Sequence, residues 1–231
     1  PRLIGRVVAG VESNPNSSLF FVDNSLAQNK QWELDLFKAL APLKRSIISH
    51  PIEDDPDVLK AASDAGAWYV YQAIFDTSDY IRARIKRNKE HGIAVEGTIL
   101  LGMDEHDEDY VKRLVDFLLE VELDLAEFTV LTPFPHTRTF DDFEKQGRIL
   151  HKDWKRYTAD EVVFKPARLS VDKLQELYHY AWNTFYKSAP HTLKMARVLK
   201  KAIRREEAWG TKDRFKTRVD ESKKFGKVVD H

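Results

Sequence analysis

The chain contains no cysteine. That excludes disulfides and thiolate-held zinc. It also has no excess of either charge: 37 lysines and arginines balance 37 aspartates and glutamates. Nothing in the whole-chain charge therefore pulls it toward nucleic acid or an anionic membrane. Long hydrophobic runs are missing too. The apolar stretches are short, such as Ile99 to Met103, and none is long enough to span a bilayer. The opening Pro1-Arg2-Leu3-Ile4-Gly5 lacks the pattern of a secretory leader. A cytoplasmic location is the expectation, with no membrane and no nucleic-acid partner.

What is present is enough for a real core. The 231 residues are 42% hydrophobic and 32% charged, which suits one α/β domain or a domain with a small appendage. Short β-rich runs alternate with helical patterns, the signature of parallel βα units. Residues about 2–12 read as either a helix or a strand. Leu19 to Val22 is an apolar run after the turn residues Asn14 to Ser18. A helix is expected from about Asn29 to Leu40, with Trp32, Leu36, Phe37 and Leu40 on one stripe. Ser46 to Ile48 is a short strand. Asp55-Pro56 opens a helix that Gly66 ends, and Ala67 to Ile74 follows as a strand. A basic helix (Tyr80 to His91) precedes a buried strand from Ile93 to Leu101. A periodic helix, Asp109 to Val121, and a strand, Leu125 to Leu131, complete the series.

Parallel strands joined by right-handed crossovers wind toward a barrel. The predicted fold is α/β: a partial (β/α) TIM-like barrel of parallel strands over residues 1–166. Residues 167–231 form a C-terminal helical segment and a basic tail, predicted to be partly disordered. In such folds chemistry lies beyond the carboxyl ends of the strands. The positions to inspect are Asp23-Asn24, Ser49-His50, Ile74 to Thr77, Gly102 to Asp104 and Thr132 to His136.

Four segments carry a family resemblance. Phe20-Phe21-Val22-Asp23-Asn24 resembles an FFVDDN strand end. His91 to Gly97, followed by Gly102-Met103-Asp104, resembles HGI-x-V-x-G and FGLD. Leu131 to Thr137 resembles LTPFPGTP, and Gly147 to Pro166 resembles the segment after the core. Together they resemble the radical S-adenosylmethionine superfamily, most closely the subgroup with a cobalamin-binding domain ahead of the radical domain. The resemblance implies reductive cleavage of S-adenosylmethionine by a [4Fe–4S] cluster, followed by radical methyl transfer or rearrangement. Cobalamin would enter through an upstream domain. It implies cofactor contacts at Asp23, Asn24, Gln72, Glu96, Ile99, Gly102, Thr132, Pro133 and Phe134.

The departures from the family are equally specific. The CxxxCxxC loop that holds the cluster is absent, and thiolates are its normal ligands. Asp23-Asn24-Ser25 stands for Asp-Asp-Asn, and His136 replaces a glycine. The start at Pro1, without methionine, reads as a fragment that needs an upstream domain or partner chain. The alternative is a cluster-less, non-catalytic relative that serves as a binding scaffold.

Each candidate also has a plain structural reading. Asp23-Asn24 is either a ligand position, since an ammonium group needs such acceptors, or an Asx turn. Glu96 either points inward toward substrate or outward to a helix lysine. Ile99 reads as an apolar wall and Gly97 as tight packing. Thr132 to Pro135 either lines a pocket or is a rigid turn. His50, His106 and His136 fit no metal-ligand spacing and read as solvated loop residues, so no metal site is expected.

Overall fold

The computed structural model describes residues 3–16, 18–27, 29–187 and 190–210, with 190–195 and 197 described by backbone alone. The basic tail beyond 210, including Phe215, lies outside the described residues. The alternation expected from sequence is present. The strands are β1 (Ser18–Phe21), β2 (Ser46–Ser49), β3 (Ala67–Ala73), β4 (Ala94–Leu101) and β5 (Leu125–Val130). They form one sheet in sequential order, and β1 with β2, β2 with β3 and β4 with β5 pair in parallel. This α/β arrangement is consistent with a partial (β/α) barrel.

The helices are α1 (Ile4–Ser13), α2 (Lys30–Leu40), α3 (Pro56–Ala65), α4 (Asp79–Glu90), α5 (Glu108–Glu120), α6 (Arg138–Lys145), α7 (Val171–Tyr186) and α8 (Pro190–Ala208). The ambiguity over residues 2–12 resolves as α1. Ile4, Val7, Val8 and Val11 recur at helical spacing, and that outweighs their β propensity. None of the described helices is long and apolar enough to cross a membrane.

Local chemistry sets the helix starts. Asn29 accepts from the Trp32 N–H at 2.9 Å, Asp107 from Tyr110 at 2.8 Å and Ser170 from Lys173 at 3.1 Å. Asp55 caps α3 with Pro56 at its first position. Gly66 ends α3 at φ 108°, and a Cβ there would fall on the Arg45 carbonyl oxygen. Only glycine fits.

The chain divides into two compact units. The first takes residues up to 71, 86–95 and from 192 onward. Its core holds α2 against α3: Leu36, Phe37 and Leu40 of α2 and Val58, Leu59 and Ala62 of α3 are essentially inaccessible, as is Ile47 of β2. α8 anchors at the amino ends of β2 and β3. The Ser46 hydroxyl donates to the Glu206 carboxylate at 2.5 Å, and Arg205 donates to the Ala67 carbonyl at 3.2 Å. The Trp209 indole lies beside Gly66.

The second unit takes residues 72–85 and 96–191. Phe128 of β5 packs edge-to-face on Trp182 and Phe185 of α7. Tyr186 covers the edge of β5. Its hydroxyl donates to the Ala126 carbonyl at 2.7 Å and accepts from the Ala126 N–H at 3.0 Å. Backbone groups that would otherwise invite another strand are thereby satisfied.

Candidate functional site

In the first unit, the chain leaves β1 and bends through Asp23 and Asn24, both exposed. The next residues are pinned to the loop after β2. The Ser25 hydroxyl donates to the Pro51 carbonyl at 3.3 Å, and Leu26 N–H donates to the same oxygen at 2.9 Å. The pinned loop closes one side of a cavity of about 490 Å³, within the range that small ligands occupy. α1 contributes Leu3, Arg6, Val7 and Val11 to its wall, and the end of β1 contributes Phe21 and Asp23. Leu26 and Trp32 complete it, with the position of Trp32 set by the Asn29 cap.

The cavity is therefore apolar with one cation and one anion on its wall. Among the described residues neither Arg6 nor Asp23 makes a hydrogen bond or an ion pair. Charges left unpaired beside an apolar surface are available to a ligand.

Glu33, on the same helix as Trp32, is fully buried and both its carboxylate oxygens accept from the Glu53 N–H, at 3.2 and 3.3 Å. Burial pushes its pKa up to about 7, the Glu53 N–H opposes that, and the Glu53 charge adds to it. Behind the loop after β2, the rings of Phe20, His50 and Tyr71 form a mutual cluster with centroids 5.4 to 5.6 Å apart.

In the second unit, β4 and β5 alternate cleanly. Val95, Gly97, Ile99 and Leu101 are buried, whereas Glu96, Thr98 and Leu100 are half-buried. Ile99 is thus a packed core residue at 1% exposure, opposite Phe128. Gly97 is tightly packed as well, since a Cβ there would lie 2.6 Å from Ile74 and 2.8 Å from Leu123. Glu96 sits opposite Leu125, near the start of β4. Gln72 is buried in β3, and its Nε2 has no partner among the described residues.

Leu131 N–H donates to the Leu101 carbonyl at 2.8 Å, so the ends of β4 and β5 stay in step. Gly102 and Thr132 follow directly from that bond. Gly102 has φ 92° and packs on Leu174 and Phe164. The Thr132 hydroxyl donates to the Val130 carbonyl at 3.0 Å, Pro133 is buried and Phe134 is half exposed.

The loop after β4 is clamped from the segment that follows α6. Arg148 grips both oxygens of Asp104, at 2.9 and 2.5 Å, and lies over the Phe143 ring at 4.0 Å. That grip holds the Asp104 carboxyl below its ordinary pKa. His106 is buried and stacked on Tyr110 at 4.1 Å, and burial pushes its pKa down. The Tyr110 hydroxyl donates to the Phe75 carbonyl at 2.8 Å.

The candidate residues therefore fall into three placements. Asp23 lines the first unit's cavity, with Asn24 next to it in the loop. Gly102, Thr132, Pro133 and Phe134 gather at the ends of β4 and β5 in the second unit. Gln72 and Ile99 lie in the core, and Glu96 lies well before the end of its strand. Sequence reasoning missed Arg6, Trp32 as a cavity wall, and the buried Glu33. Glu33 was findable: with Leu36, Phe37 and Leu40 it stands on the apolar stripe of α2. Nothing local marked Arg6.

No protein-family model matches the chain. It is similar to the bacteriochlorophyllide d C-12(1)-methyltransferase of Chlorobaculum tepidum, 27% identical over 136 residues, covering 58% of this chain and 27% of that protein. An uncharacterised methyltransferase of Pyrococcus horikoshii is 22% identical over 183 residues, covering 72% of this chain and 40% of its own length. The hopanoid C-2 methylase of Rhodopseudomonas palustris is 21% identical over 174 residues, 65% of this chain and 33% of that enzyme. This chain is thus a parallel α/β protein whose relatives are methyltransferases, and it spans between about a quarter and two-fifths of their length.

The two groups implied by the family resemblance fare differently. A [4Fe–4S] cluster does not fit these residues, because no thiolate is available to hold it. Among the described residues no group of three or more histidines, aspartates or glutamates could hold a metal ion either. S-adenosylmethionine fits better. The cavity offers an apolar wall for its body and an unpaired carboxylate for its ammonium group.

Proposed function

We propose that this chain is the S-adenosylmethionine-binding and substrate-side portion of a radical S-adenosylmethionine-type methyltransferase. The observation that carries the reading is Asp23, an unpaired carboxylate at the carboxyl end of a parallel strand, on the wall of a ligand-sized cavity. The methyltransferase relatives support it. When bound, S-adenosylmethionine supplies the transferable methyl group.

In this role the Asp23 carboxylate accepts hydrogen bonds from the ammonium of the methionine end, with the Asn24 amide beside it. Trp32, Phe21 and Leu26 exclude water around the apolar part, which strengthens that contact. The substrate is a small molecule, in keeping with the bacteriochlorophyllide and hopanoid named for the relatives. The cluster, and any cobalamin, would come from outside these residues, on an upstream domain or a partner chain.

A second reading, a non-catalytic scaffold without a cluster, is favoured by one observation, the absence of cysteine. Calorimetric titration with S-adenosylmethionine tests the first. Specific binding that weakens about tenfold in Asp23→Ala supports it. A well-folded chain that does not bind S-adenosylmethionine turns the assignment to the scaffold.

A further inference from the structure

The cavity at the end of β1 carries two charges of opposite sign, and only Asp23 is used by the reading above. Arg6 lies in the first turn of α1, on the same wall as Leu3 and Val7. Its guanidinium makes no hydrogen bond or ion pair with any described residue, and neither does the Asp23 carboxylate. Several other cations of the first unit are spent internally. Lys30 is held by Asp55, and Arg87 by Asp54. Arg45 donates to the Asn14 and Asn16 carbonyls. Arg6 and Asp23 thus stand unspent on the wall of one small, largely apolar cavity.

We infer that this cavity selects a ligand with an α-amino-acid head, Arg6 holding its carboxylate and Asp23 its ammonium. The inference rests on the reading of Asp23 as the ammonium-binding residue and adds a carboxylate-reading one. The chemistry is matched on both sides. A guanidinium presents paired donors in a plane that fits a carboxylate, and a carboxylate accepts from an ammonium. An amine without a carboxylate leaves Arg6 unpaired beside the apolar wall, and a carboxylic acid without an amine does the same to Asp23. The rest of the wall, Val7, Val11, Phe21, Leu26 and Trp32, suits an apolar body attached to that head. Arg6 is therefore a specificity-determining residue: it separates amino acids and their conjugates from the corresponding amines.

The test is a titration of the folded chain with S-adenosylmethionine and with its decarboxylated form, by calorimetry. The inference predicts that the wild-type chain prefers S-adenosylmethionine by about tenfold, that Arg6→Gln abolishes this preference, and that Arg6→Lys restores part of it. It also predicts that Arg6→Gln does not weaken binding of the decarboxylated form. If Arg6→Gln binds S-adenosylmethionine as the wild type does, the inference falls while the S-adenosylmethionine reading stands. If the wild-type chain binds neither form, that reading falls. The inference is then decided by L-phenylalanine against phenethylamine, read from the indole NMR signal that Trp32→Phe removes. A shift with the amino acid that exceeds the shift with the amine at equal concentration upholds it, and equal or absent shifts overturn it.

Discussion

The loops after β1 and β4 both place an aspartate just past a parallel strand, and they use it in opposite ways. Asp104 is clamped by Arg148 through two hydrogen bonds, and the guanidinium rests on Phe143. Asp23 has no such partner among the described residues and faces a cavity. The first arrangement closes a loop. The second leaves a charge and a space available. A strand-end aspartate in a βα fold is therefore not by itself a ligand group, and what decides is whether another side chain has already taken it.

The largest effect that would sharpen this contrast is in pH dependence. Glu33 belongs to the first unit, under the loop that follows β2. Below about pH 4.5 its carboxyl is protonated in the folded and the unfolded chain alike. Between 4.5 and about 7 only the unfolded chain releases the proton, so stability falls as pH rises through that window and levels off above it. The expected loss is about 3 kcal/mol, and Glu33→Gln should remove most of it. Urea unfolding at pH 5 and pH 8 measures the difference. A wild-type chain no less stable at pH 8 than the variant would contradict the burial of an ionisable Glu33.

Breaking the closed loop comes next. Arg148→Ala removes the partner of Asp104 and the packing over Phe143, and should cost about 2 kcal/mol in the same assay. Its S-adenosylmethionine affinity should match the wild type. A large loss of affinity with unchanged stability would mean that the β4 loop is the binding element after all. Tyr186→Phe should cost about 1–2 kcal/mol, because the Ala126 N–H and carbonyl both lose their partner. Its sharper readout is association, since the β5 edge becomes available for pairing. Increased self-association in sedimentation is expected, and an unchanged monomer would show that the hydroxyl does not guard the edge.

Much of the fold was legible because it depends on local signals. The strand runs, the Asp55-Pro56 start and the Gly66 stop each follow from a few neighbouring residues. α6 was missed: it is only eight residues long, directly behind Pro133 and Pro135, and its local signs are slight, Thr137 capping Phe140 and the buried pair Phe140 and Phe143 at helical spacing. The division between used and unused charges was not legible at all. Asp104 and Arg148 are 44 positions apart, and nothing in either neighbourhood announces their pairing. The same holds for Arg6, which faces the cavity only because α1 forms where the sequence allowed a helix or a strand. His106 read as a solvated loop residue and is instead buried against Tyr110, since its ring can stack at the start of α5.

The most direct measurement of the central claim is a paired one: S-adenosylmethionine affinity and urea stability for Asp23→Ala and Asp104→Ala. The account predicts a crossed result. Asp23→Ala should weaken binding about tenfold with stability within about 0.5 kcal/mol of the wild type. Asp104→Ala should leave binding unchanged and lower stability by about 1 kcal/mol. If Asp104→Ala weakens binding and Asp23→Ala does not, the assignment of the two strand ends is reversed and the account is wrong.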